Sequence, residues 1–108
     1  MNDFLLKRGD TSPAILGSLV GGDGSVVSIT GASVRFHMAR DTNGEVVVDA
    51  PAAVVDDAAG QVRYDWQPAD TVAAGRFRAE FEVTYSDGTV ETFPNDGDLQ
   101  ILIRDDLA

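Results

Sequence analysis

Arg76-Phe77-Arg78-Ala79-Glu80-Phe81-Glu82-Val83-Thr84-Tyr85 decides the fold class. Phe77, Ala79, Phe81, Val83 and Tyr85 share one parity, and Arg76, Arg78, Glu80, Glu82 and Thr84 share the other. Successive side chains of a strand point to opposite faces, so a period of two predicts a strand with one face buried and one in water. A helix would need apolar residues at i, i+3, i+4 and i+7, and no long stretch of the chain keeps that spacing.

The same alternation recurs on either side. It places Val34, Phe36 and Met38 together in residues 33–39, Val62, Tyr64 and Trp66 in residues 61–66, and Leu99, Ile101 and Ile103 in residues 98–104. Weaker runs are Phe4 to Lys7, Ala14 to Val20, Val26 to Ile29, Val46 to Val48 and Ala52 to Val55. Between them lie clusters such as Gly21-Gly22-Asp23-Gly24, Thr42-Asn43-Gly44, Ser86-Asp87-Gly88 and Pro94-Asn95-Asp96-Gly97. Asn-Gly and Asp-Gly steps tolerate positive φ and suit tight turns. Only Pro68 to Gly75 has room for a helical turn. Seven to nine short strands with closely spaced turns indicate an all-β sandwich or small barrel. With no linker, repeat or low-complexity tract, residues 1–108 are expected to form one domain. Its expected core is Phe36, Val62, Tyr64, Trp66, Phe77, Phe81, Val83 and Ile101.

Composition narrows the function. At 44% hydrophobic and 24% charged, the chain has the profile of a globular domain. It has no cysteine, so packing must supply stability without disulfides, and thiolate metal sites and cysteine nucleophiles are excluded. Eighteen acids, fourteen of them aspartates, against eight bases give a net charge of −10. Such a surface repels phosphate backbones and anionic lipid, which argues against nucleic acid and membrane as partners. Phe4-Leu5-Leu6 is too short for a signal-peptide core, and no apolar run approaches the roughly 20 residues that cross a bilayer. Folding in the cytoplasm where the chain is made is the expectation.

No group of residues reads as a catalytic centre. His37 is the only histidine and falls mid-strand on the polar face, where a solvated side chain accounts for it better than a triad does. Asp56-Asp57, Glu80/Glu82 and Asp105-Asp106 pair carboxylates as glycosidases do, but no exposed aromatics accompany them, and alternating strands produce such pairs routinely. Asp23-Gly24, Asp87-Gly88 and Asn95-Asp96-Gly97-Asp98 carry oxygens suited to calcium, yet none matches the twelve-residue calcium loop and turn geometry explains them. Arg8-Gly9-Asp10 matches an integrin-recognition tripeptide, but three-residue matches arise often by chance, and a turn between the first two strands explains it better. Burial in the core is the expectation for Trp66. No metal, nucleotide or other cofactor is therefore expected.

Several motifs run in a recognisable order: Gly9-Asp10-Thr11-x-Pro13, then Asp23-Gly24, then Ile29-Thr30-Gly31-Ala32-x-Val34-x-Phe36-x-Met38. Gly60-x-Val62-x-Tyr64-x-Trp66, Ala69-Asp70-Thr71 and Gly75-x-Phe77-x-Ala79-Glu80-Phe81 follow, and Tyr85-Ser86-Asp87-Gly88-Thr89 and Phe93-Pro94 close the series. Over roughly residues 4–104 this resembles the N-terminal domain of the baseplate upper protein family of tailed bacteriophages. The resemblance implies an immunoglobulin-like antiparallel β-sandwich and a structural, non-enzymatic role in the virion tail. It implies contacts with other tail or baseplate proteins and with copies of the chain itself, as a homo-oligomer or ring. A free-standing module for carbohydrate or calcium is the alternative, against which the aromatic content of 7% speaks. The candidate self-association surface is Phe4, Leu5, Leu6 and Leu102, apolar residues beyond those the core faces need.

Overall fold

The computed structural model describes residues 4–95 and 97–107. Their eight strands are β1 (Phe4–Lys7), β2 (Ile15–Ser18), β3 (Ser33–Arg40), β4 (Val46–Asp56), β5 (Gln61–Tyr64), β6 (Gly75–Thr84), β7 (Val90–Phe93) and β8 (Leu99–Arg104). One short 3-10 helix, Pro68–Thr71, lies between β5 and β6. No helix among the described residues is long and apolar enough to cross a membrane.

The strand order is β1-β8-β6-β3-β4-β5-β2, with β7 also on β6. β6 is the centre of the larger sheet. One flank pairs with β3 from Phe77 to Thr84, and the other is shared, β8 taking Gly75 to Ala79 and β7 taking Phe81 to Thr84. β4 joins the two layers. Its first part pairs with β3 as far as Ala52, and from Ala53 it pairs with β5, which in turn carries β2. The result is a sandwich-like, nearly closed barrel.

The runs at 46–48 and 52–55, expected to be separate, are one strand of eleven residues that passes through Pro51. Pro51 lies opposite Arg35 of β3, before β5 joins the other flank. A strand with one free flank tolerates a missing N–H, so the proline does not break it. The expected strand at 26–29 is reduced to a single bridge, Val20 to Val26, while Ile29 is drawn into the core. β7 was not foreseen, because Val90-Glu91-Thr92-Phe93 is too short to display a period. The sandwich also departs from purely antiparallel pairing, since β1 runs parallel to β8, with Phe4 opposite Ile101 and Lys7 opposite Arg104.

All eight expected core residues are buried, joined by Val34, Met38, Phe93, Ile103 and others. Phe36 of β3 stacks on Tyr64 of β5 at 4.4 Å and 11°, which ties the two layers together. Trp66 meets Phe36 and Tyr64 edge-on at 5.6 and 5.5 Å and contacts Phe4 of β1 at 6.0 Å. The Tyr64 hydroxyl donates to Asp70 Oδ2 at 2.5 Å, and the same oxygen accepts the Gln67 amide at 2.8 Å, fixing the start of the 3-10 helix. Thr71, fully buried, donates its hydroxyl to the Asp10 carbonyl at 2.9 Å. Arg8-Gly9-Asp10 is thus a turn pinned to this helix, with the Gly9 amide donating to the Thr71 carbonyl.

Trp66→Ala should cost about 3–5 kcal/mol in chemical denaturation. Trp66→Phe should cost clearly less, since Nε1 has no hydrogen-bond partner to lose among the described residues. Native fluorescence should be blue-shifted, and a water-like emission spectrum would contradict the burial.

Burial and the Asp70 carboxylate push the Tyr64 hydroxyl well above the usual tyrosine range, and burial with Glu91 pushes Tyr85 up to about 12. Both phenols favour the neutral form in the folded state, so the stability they confer is complete below about 10, where free tyrosine ionises. It is lost as pH climbs from there through the folded values. Tyrosinate absorbance should therefore stay low in the native protein as pH passes 10 and rise together with loss of fold. A normal titration at about 10 with the fold intact would contradict the two carboxylate contacts.

Candidate functional site

The expected self-association residues all lie where β1 runs along β8. Alternation along β1 divides them. Phe4 leans inward on Trp66, and Leu6 is only 4% exposed and belongs to the core. Leu6 is therefore removed from the candidate surface. Leu5 points out at 58% exposure, directly opposite half-buried Leu102. Beside them is an open hollow of about 570 Å³, lined by Leu5, Lys7, Pro13, Arg104 and Leu107 among others. Leu107 is fully exposed. Arg8 and Asp105 form an ion pair at 3.3 Å nearby. The structure thus leaves an apolar edge of Leu5 and Leu102 with a polar rim.

The outer face of the larger sheet has a different character. His37 is held between Glu80 of β6 (Nδ1 to Oε2, 3.0 Å) and Asp49 of β4 (Nε2 to Oδ1, 3.2 Å), its neighbours across the strands. It is half-buried and paired, where sequence reasoning placed a free, solvated side chain. Arg35 donates to Asp49 at 2.9 Å, and this hydrogen bond holds the Asp49 carboxyl below the usual carboxylate range. Arg78 reaches Asp41 at 3.2 Å and Asp98 at 3.9 Å, and Arg40 pairs with Glu45 at 2.9 Å. A hollow of about 320 Å³ opens over His37, Arg78 and Glu80. Charges of opposite sign face one another across the strands there as a ladder. Among the described residues no serine, threonine or lysine lines this hollow, and both ring nitrogens of His37 are occupied by carboxylates.

Of the aspartates considered for calcium, Asp23 and Asp87 are used in turns, and Asp98 faces Arg78. Asp23 Oδ1 accepts the Ser25 amide at 2.9 Å, and Asp87 Oδ1 accepts the amide and hydroxyl of Thr89 at 3.0 and 2.6 Å. These bonds lower both carboxyl pKa values, with the backbone donor leading at Asp23 and the Thr89 hydroxyl at Asp87. Asp96 lies outside the described residues. Among the described residues, no group of three or more histidine and acidic side chains has a geometry suited to a metal ion.

A second set of exposed apolar side chains escaped sequence reasoning. Leu16 of β2, Val20, Val26 and Val55 point into solvent around the smaller layer. The parity of Ile15-Leu16-Gly17 held the signal, because burying Ile15 forces Leu16 outward.

The molecule is an all-β domain whose outer face carries cross-strand ion pairs and whose open features are strand edges. The chain is a member of the BppU N-terminal domain family, whose model matches residues 4–94, and it is accordingly a structural protein of a phage baseplate. Among solved structures it is similar to CopC from Methylosinus trichosporium OB3b, with a TM-score of 0.55 and 18% identity over 98% of this chain and 87% of that one. At that identity the likeness concerns the fold alone. A search of curated proteins finds no match.

Proposed function

We propose that this chain is a non-enzymatic assembly module of the virion tail, made in the host cytoplasm and acting through contacts with baseplate proteins and with copies of itself. The observation that carries the self-association is Leu5, an apolar side chain 58% exposed on a terminal strand, with Leu102 beside it in register. Among the described residues β1 pairs only with β8, and while Asp10 occupies the amide and carbonyl of Lys7, the outward backbone groups at Leu5 are left to meet a neighbour. A contact between this edge and a different surface of the next copy is heterologous, and it closes into a ring when the rotation per copy divides a full turn. The engagement of His37 by two carboxylates supports the non-enzymatic reading, because a general base needs a nitrogen free to reach a substrate. The net charge of −10 opposes association, and salt screens that repulsion.

Sedimentation velocity across concentration should show association that strengthens as salt is raised. Leu5→Ser should weaken it about tenfold, in line with the burial energy of one leucine, without lowering the melting temperature. A monomer at every concentration that is also missing from purified particles would overturn the proposal.

A further inference from the structure

On the outer face where β1 meets β8, Leu5 stands opposite Leu102 and Lys7 opposite Arg104. Lys7 and Arg104 are exposed, and neither has an ion-pair partner among the described residues. Like charges directly opposite in a ladder destabilise it unless something offsets them. The two acids that line the same hollow are engaged elsewhere. Asp10 Oδ2 accepts the Lys7 amide at 3.3 Å, and Asp105 pairs with Arg8 at 3.3 Å. Asp106 follows beyond the strand, which leaves two unpaired cations beside one unpaired acid. A second copy docking by the same face would set Lys7 and Arg104 against their own counterparts.

The β4–β5 turn has the opposite character. Val54, Val55, Asp56 and Asp57 are all exposed there, Val55 at 58%. The segment before β3 packs on this turn. The Ile29 amide donates to the Asp57 carbonyl at 2.9 Å and the Val27 carbonyl lies against Gly60, so exposed Val26 sits at the same end. Asp56 Oδ1 accepts the Ala59 amide at 3.2 Å, while the Asp57 carboxylate has no partner among the described residues. The nearest cation in the register, Arg63 opposite Ala53, is spent on Asp65 at 2.7 Å. Other exposed apolar side chains away from β1 lack such an acid. Glu45 beside Val46 is engaged with Arg40, Asp70 near Val72 with Tyr64, and Glu91 beside Val90 with Tyr85. Leu16, on the open edge of β2, lies opposite Arg63.

The two surfaces lie at opposite ends of β6. Its first residue, Gly75, pairs with Ile103 beside Arg104. Its last, Thr84, pairs with Ser33, and the next residue of β3, Val34, meets β4 at Ala52, close before Asp56. Ten strand residues span about 30 Å, so one copy cannot join its own two surfaces. We propose that Leu5, Leu102, Lys7 and Arg104 of one copy dock head-to-tail on the β4–β5 turn of a second copy. The leucines meet Val26 and Val55, and the cations meet Asp56 and Asp57. This rests on the self-association proposed above and names the surface that receives it. Ion pairs enclosed at contact are screened less than repulsion across solvent, so association still strengthens with salt.

Sedimentation velocity of the full chain at fixed salt tests this. Asp57→Lys removes one negative charge and adds one positive, taking the net charge from −10 to −8, which by itself favours association. It should nevertheless weaken association about tenfold or more. Lys7→Glu should weaken it as much, and the two substitutions in one chain should restore it to within about threefold of native. Arg104→Glu takes the place of Lys7→Glu if that variant lacks native Trp66 fluorescence. A double variant that fails to recover would overturn the proposal. So would Asp57→Lys leaving association unchanged or stronger while Leu5→Ser weakens it, a result that keeps self-association and assigns it another counter-surface. If Asp57→Lys weakens association and Leu5→Ser does not, the turn meets some other surface and the proposal falls. A native chain that stays monomeric throughout removes both readings.

Discussion

The stack of Phe36 on Tyr64 is the contact on which the rest of the structure depends. Phe36 has no exposed surface and touches Tyr64, Trp66 and Phe81, so it joins both layers and the centre of the larger sheet. The connection continues outward through hydrogen bonds. Tyr64 holds Asp70, the 3-10 helix brings Thr71 into the core, and Thr71 holds Asp10 in the turn between β1 and β2. Position of the first two strands thus depends on a ring stack in the middle of the barrel. A chain without disulfides must obtain its uniqueness from such directional contacts, because apolar burial alone does not choose one packing over another.

What could be read in the sequence followed from where one face is wet and the other dry. In β6 five alternating pairs give an unambiguous strand, and the core residues of β3, β5 and β8 follow from the same parity. Legibility failed where backbone pairing decided the outcome. β4 is a single strand through Pro51 because it changes neighbours there, which a propensity at position 51 does not reveal. β7 exists because β8 leaves half of one flank of β6 unpaired. Of the four surface candidates, the apolar run showed that side chains exceeded the needs of the core, but only the parallel register with β8 separated Leu5 from Leu6. The β2 edge was hidden for a similar reason. Its openness is a property of strand order.

The outer surfaces divide the labour. The face of the larger sheet pairs charges across β4, β3 and β6, through Arg35, His37, Asp49 and Glu80. At the two ends of the strand path the backbone is open and leucines point outward. In the proposed association, charge would repel copies at a distance while apolar edges would hold at contact, so it would wait for geometry that brings the right edges together.

The parallel pairing of β1 with β8 also governs how the domain comes into being. Phe4 of β1 pairs with Ile101 of β8, so β1 cannot take its place in the sheet until β8 has been made. Contacts between residues so far apart in sequence are slow to close. During synthesis Phe4-Leu5-Leu6 is an unsheltered apolar segment, and β3, β4 and β6 can pair before it docks. The edge proposed to join copies therefore rests on the strand pairing of greatest sequence separation in the fold.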